Sequence, residues 1–439
     1  MSTLRTSRAF VVVVAAAAVV GASVLLAPRL VRMGHGEARS VPAASPIFTS
    51  RASLDELIAT LRHHVAADPG DGEAAVRLAD ALMRAARVHS DAALPLEAER
   101  ALKATLQHGD DYAAQRMLAA VYLSQHRFRE GLAIARTAQT RHPQDAWNYA
   151  VAGDALLELG QYDDAFDMFD EAIARRPDAG VYARAAYAKE MRGDLEGAVT
   201  VMRMAAEATA PPDVEAQAWV FAQLGLLYLQ LGRLDDAQRE FGRADFVFPD
   251  HPYVLNGRIR LAIARGHYRD ALQLATRAPA TPETHAWRGD LQAQLGDAAA
   301  AEASYRESER LEREGWASEQ PQPGALARFF AERGRNIAEA VTLAERAAAE
   351  RADIHTMDAL AWSYFKAGRV ADAERAIRRA TRTGTGDRRI RCHARAIEQA
   401  VRTGTRGTCD PLDPGLVQPV PASFSAGADW SRGPRPHGS

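Results

Sequence analysis

The feature that most restricts the fold is an internal period of about 34 residues, marked by small, large and helix-ending residues at fixed offsets. From Ala146 the chain carries Gly153, Leu156, Gly160, Tyr162, Ala165, Phe169, Ala172 and Pro177. From Ala218 the same marks return as Gly225, Tyr228, Gly232, Ala237, Phe241, Ala244 and Pro249. Small residues at the eighth and twentieth offsets let two helices approach, and larger ones at the eleventh and twenty-fourth fill the space between them. Glycine at the fifteenth offset accepts the left-handed conformation that ends a helix, and proline at the thirty-second stops the next helix. A single helix pair of this size cannot bury its apolar stripe, so the pairs must stack.

Weaker copies extend the pattern. The clearest units are residues 112–145, 146–179, 218–251, 252–281, 282–316 and 354–387, and degenerate ones lie near 72–111, 180–213 and 321–353. Residues 282–316 keep Gly289 and Gly296, and residues 354–387 keep Gly368 and Ala373. Lys189 occupies a position where a core residue is expected, and Gly334-Arg335-Asn336 adds a residue to a turn. On these marks the chain resembles the tetratricopeptide-repeat (TPR) family over residues 53–387. The resemblance implies an all-α, right-handed superhelical solenoid of about nine repeats, whose first helices line a concave groove that holds partner segments.

Offsets two, five, nine and twelve share one helix face. They carry Arg116, Trp147, Asp154, Trp219, Tyr253, Asn256, Arg260, Asp290, His355, Asp358 and Trp362, the candidate groove residues. Aromatics beside arginine are the usual content of binding hot spots. Trp147 and Trp219 are equally accounted for by packing between neighbouring repeats. Asn256 with Arg260 is a one-repeat approximation of the carboxylate clamp that some tetratricopeptide domains present on two successive units, so that function gains little support.

Residues 9–27 contain no charge and are mostly Val, Ala and Leu; Arg5 and Arg8 precede them and Arg29 and Arg32 follow. As a helix this run spans about 28 Å, close to the bilayer core, and it exceeds a secretory signal's usual apolar stretch. The expectation is an uncleaved transmembrane or signal-anchor helix after a basic stretch at 1–8. A flexible spacer at 28–52 follows, with the solenoid on the extracytoplasmic, periplasmic side; the alternative is a secreted or periplasmic protein after cleavage. An arginine-rich stretch at 388–403 reads as a polar capping helix, with an acidic partner or lipid headgroup as the competing account. Residues 404–439 read as a disordered tail rich in Gly, Pro, Ser and Thr.

The net charge is -2, so no bulk field favours nucleic acid. The only cysteines, Cys392 and Cys409, form no C-x-x-C pair and read as two idle thiols, with a disulfide in an oxidising compartment as the alternative, because spacing alone does not establish its geometry. His63 and His64 are adjacent and point about 100° apart on a helix, which prevents joint metal ligation. No phosphate-binding glycine loop, dinucleotide fingerprint or nucleophile elbow occurs in the sequence. Asp163-Asp164 and Asp235-Asp236 resemble paired carboxylates but sit where second helices begin, favoured there by the helix dipole. The sequence therefore points to a membrane-anchored scaffold or assembly adaptor for other proteins, with no catalytic residues, metal site or cofactor. A recruiter for an envelope enzyme and a cell-wall polysaccharide-binding scaffold are the alternatives.

Overall fold

The computed structural model describes residues 50–317, 322–405 and 407–412. The apolar segment 9–27, most of the expected spacer and the tail beyond residue 412 lie outside the described residues. Among the described residues there are helices and no strands. None of these helices is long and apolar enough to cross a membrane.

Helix α1 (Arg51–Ala67) precedes nine helix pairs, and short turns inside each pair force its two helices to run antiparallel. The pairs are α2 (Gly72–His89) with α3 (Leu94–Leu106), α4 (Tyr112–Ser124) with α5 (Phe128–Arg141), and α6 (Ala146–Glu158) with α7 (Tyr162–Arg175). Next come α8 (Ala179–Met191) with α9 (Leu195–Ala208), α10 (Val214–Gln230) with α11 (Leu234–Val247), and α12 (Pro252–Ala264) with α13 (Tyr268–Arg277). The last are α14 (Pro282–Gln294) with α15 (Ala298–Ala317), α16 (Pro323–Arg333) with α17 (Ile337–Glu350), and α18 (Ile354–Lys366) with α19 (Val370–Ala380). Helix α20 (Arg388–Thr403) packs on α18 and α19.

The marker residues act as their chemistry requires. Asp71, Asp111, Asp145, Asp178, Asp213 and Asp353 cap the first helices α2, α4, α6, α8, α10 and α18 by accepting backbone N–H groups. Gly160, Gly232 and Gly368 close α6, α10 and α18 at φ of 76°, 74° and 80°. The Phe241 ring, 1% exposed, lies between Gly225 of α10 and Gly257 of α12. A Cβ at either glycine would stand under 3.0 Å from that ring. Asp163-Asp164 and Asp235-Asp236 occupy the first turns of α7 and α11. Lys189 avoids the core by turning out to Asp194, 2.9 Å away.

First helices also meet across the array. Helix α2 touches α12. One apolar cluster unites residues of α1–α4 with α8–α12, and a second unites α4–α8 with α16–α20. The winding is therefore tight enough for the chain to pack against itself four to six units further on.

Two expectations need correction. Cys392 and Cys409 are joined by a disulfide, with Cα atoms 6.1 Å apart. Gly404, at φ 70°, turns the chain back along α20, and Gly407 lies against Ala396, which brings the second sulfur to the first. Disorder does not begin at residue 404 either. Residues 407–412 are described, and Leu412, 5% exposed, packs with the apolar residues of α12–α14.

Candidate functional site

The inner wall is built from the first helices, and its polar residues form a ladder between successive units. Arg184 of α8 grips Asp154 of α6 with Nε at 3.0 and 2.9 Å from the two carboxylate oxygens and Nη2 at 2.8 Å. Arg333 of α16 grips Asp290 of α14 at 2.9 and 2.5 Å, and the Tyr305 hydroxyl donates to the same carboxylate at 2.9 Å. Arg389 of α20 lies 3.2 Å from Asp358 of α18, whose other oxygen meets His393 Nδ1 at 2.8 Å. Arg116 of α4 reaches Asp145, the cap of α6, at 3.2 Å and stacks over Trp147 at 4.8 Å. Bidentate guanidinium–carboxylate geometry fixes orientation as well as distance, so the Arg184–Asp154 and Arg333–Asp290 rungs set the angle between their neighbouring repeats.

At the start of the array the ladder spans the winding. Arg87 of α2 donates to both oxygens of Glu215 on α10 at 2.9 and 2.8 Å, and Arg84 reaches Asp213 at 2.9 Å. Glu215 is fully buried. Burial alone raises its carboxyl, but Arg87, His251 and Arg84 outweigh that and hold it well below the usual range. Asp358 is held below its ordinary value in the same way, with His393 and Arg389 overcoming burial. His393 stacks on Trp362 with ring centroids 3.9 Å apart.

A second set of bonds closes the winding further along. Arg351 meets Glu158 at 2.8 Å, and the Ile354 N–H donates to the Tyr162 hydroxyl at 2.7 Å. Arg382 donates to the carbonyls of Gly160 and Ala352 at 3.0 and 2.7 Å, and Arg388 to that of Gln230 at 2.9 Å. The arginines at the end of the array are thus partly structural, with Arg391, Arg395 and Arg402 left exposed on α20.

Of the sequence-predicted groove residues, Arg116, Trp147, Asp154, Trp219, Arg260, Asp290, Asp358 and Trp362 are buried, and Tyr253, Asn256 and His355 are half-buried. The wall thus brings them together mainly as contacts within the chain. Sequence reasoning missed Arg84, Arg87, Arg184 and Arg333, and placed Arg389 only in the arginine-rich cap. Arg184 had a readable signal, because it occupies the fifth offset of its unit and so faces the same wall as Asp154. Among the described residues no group of His, Cys, Asp or Glu is arranged to hold a metal ion.

A cavity of about 110 Å³ lies among α12, α14, α15, α16 and α20, bounded also by Cys409 and Pro411. Arg260, 1% exposed, borders it, stacks over Trp287 at 4.9 Å and gives Nη2 to Glu283 at 3.1 Å.

A sequence model of the tetratricopeptide repeat matches residues 151–213 and 223–284, which cover the helix pairs that carry the clearest marks. Over these residues the chain carries tetratricopeptide repeats. It is similar to human tetratricopeptide repeat protein 36, with 36% identity over 93 residues, 21% of this chain and 49% of that one. The tetratricopeptide chain thus spans about half the length of the curated relative it matches. Among solved structures it is similar to the human IFIT1 dimer with PPP-AAAA, at 17% identity and a TM-score of 0.49, covering 76% of this chain and 78% of that one. It is also similar to yeast Tom70, at 15% identity and a TM-score of 0.42, covering 80% and 86%.

Proposed function

We propose that this tetratricopeptide chain is a protein-interaction scaffold without catalysis of its own, anchored in a membrane by residues 9–27, and that partner segments dock on its inner wall. The observation that carries this reading is the ladder of buried ion pairs, which fixes successive first helices relative to one another. A wall held in this way is preorganised, and preorganisation removes part of the ordering cost of binding. Tyr253, Asn256 and His355 keep part of their surface open along the wall and are the positions at which a partner makes contact. The solenoid stands on the extracytoplasmic side, where the Cys392–Cys409 disulfide is stable.

Photo-crosslinkers placed at Asn256 on the inner wall and at exposed Arg239 on α11 test the docking face in detergent-solubilised full-length chain. Discrete adducts from Asn256 and none from Arg239 support the reading. Adducts from Arg239 alone overturn it. A topology reporter fused after Asp387 tests the compartment, and a cytoplasmic signal refutes that part.

A further inference from the structure

The cavity among α12, α14, α15, α16 and α20 combines cationic groups lacking full compensation with an apolar wall. Arg260 is 1% exposed, yet its Nε and Nη1 have no hydrogen-bond partner, and Arg389 Nη2, also buried, has none. Arg328 borders the same space. Four acids share the space with four arginines: Glu283 takes Nη2 of Arg260, Asp290 is gripped by Arg333, Glu332 reaches Arg389 only at 3.5 Å, and burial pushes Glu312 up to about 7, which leaves its charge incomplete. Buried guanidinium N–H groups left unpaired are costly, and an anion supplying charge-assisted hydrogen bonds removes that cost. Ile263, Ala286, Trp287 and Phe329 form the apolar side of the cavity.

We propose that this cavity binds a small organic monocarboxylate, its carboxylate on Arg260, Arg328 and Arg389 and its carbon body against Trp287 and Phe329. Charge selects a single negative group, because a phosphate dianion would set its second charge against Glu283, Glu312 and Glu332, which also line the space. Size selects a short body: an engineered cavity of about 150 Å³ accepts benzene with its six heavy atoms, so about 110 Å³ suits an acid of two or three carbons. The disulfide-tied segment carrying Cys409 and Pro411 lies along one side, which favours a free small acid over the end of a polypeptide. The state of the cationic groups agrees. Burial, followed by the charges of Arg389 and Arg328, pushes Arg260 down to about 10, against the opposing pull of Glu283. The inference goes beyond the scaffold reading and stands or falls independently of it.

Titration calorimetry on the full-length chain in detergent tests it, with propionate as the probe and propan-1-ol, inorganic phosphate and an alanine-terminated pentapeptide as comparators. Saturable one-to-one binding of propionate is expected, with the alcohol and phosphate weaker by about tenfold or more. Arg260→Met, checked for an unchanged helical spectrum, weakens propionate by a similar factor. If that variant does not fold, Arg328→Gln is the second probe, with about threefold weakening expected. Absence of saturable propionate binding, alcohol or phosphate binding as tight as propionate, tighter binding of the peptide, or unchanged affinity in the folded variant overturns the proposal.

Discussion

Replacing Gly257 by alanine sets two opposed effects against each other at a defined place. In a helix interior alanine is favoured over glycine by about 1 kcal/mol. Against that, the new Cβ would lie under 3.0 Å from the Phe241 ring, and the ring has little room to move because Gly225 crowds the same ring atoms equally closely. Overpacking in a rigid core costs about 1–3 kcal/mol, and a ring held between two helices belongs at the upper end. The net expectation is a loss of about 2 kcal/mol. In a Phe241→Leu background the obstruction is gone, and the same glycine-to-alanine change should stabilise by up to about 1 kcal/mol, a coupling energy near 3 kcal/mol. Urea denaturation of the four proteins of the cycle, followed by far-UV circular dichroism with hydrogen exchange across α10–α12, measures both signs. Equal destabilisation in the two backgrounds, or stabilisation in the native background, refutes this account of why glycine faces Phe241 from α12.

Three further outcomes follow from the geometry. Arg351→Met leaves Glu158 and buried Asp353 without their cation and should cost about 2–3 kcal/mol. Its hydrogen-exchange protection should fall at 158–162 and 352–354 together, and loss on one side alone would contradict a seam between them. Cys409→Ser opens a loop with a sequence separation of 17 and should lower stability by up to about 3 kcal/mol. The first amides to exchange should be those near Leu412, and unchanged exchange there argues against a docked tail. Burial pushes the carboxyl of part-buried Glu190 up to about 7, with Gln230 Nε2 donating to it at 2.7 Å. Between pH 4.5 and 7 the unfolded chain gives up this proton first, so the group's contribution turns against folding as pH rises. Glu190→Gln should therefore stabilise by about 1–3 kcal/mol at pH 8 and much less at pH 5; an equal effect at both values, seen in parallel melts, removes the titration from the explanation.

What was legible in the sequence was local. Gly160 and Gly232 had to end helices because few other residues accept φ above 70°, and the Phe169 and Phe241 positions had to pack against glycine for two helices to approach. Offsets placed Arg116, Asp154, Asp290 and Asp358 on one wall because that is a property of helical phase. Their exposure was not legible. Burial of Asp154 depends on Arg184, and that of Asp358 on Arg389 and His393, through distances that exist only after the pairs stack. The disulfide was hidden for the same reason, since a reversal at Gly404 decides whether two thiols meet. The contacts of Arg351 with Glu158 and of Arg87 with Glu215 join residues 193 and 128 positions apart, and a periodic sequence offers many arginines and acids as equal candidates for such partners.

A row of repeats joined only to its neighbours can be lengthened or trimmed a unit at a time, with each deletion felt locally. Bonds from Arg51 to the carbonyls of Pro249 and Asp250, and from Arg382 to that of Gly160, make this array behave otherwise. Inserting one unit in the middle would shift every later arginine past its receiving carbonyl, much as a missing stair puts every later step out of place. The number of units between α1 and α20 is thus a dimension of the molecule, and gain or loss of repeats is constrained even where each repeat tolerates substitution.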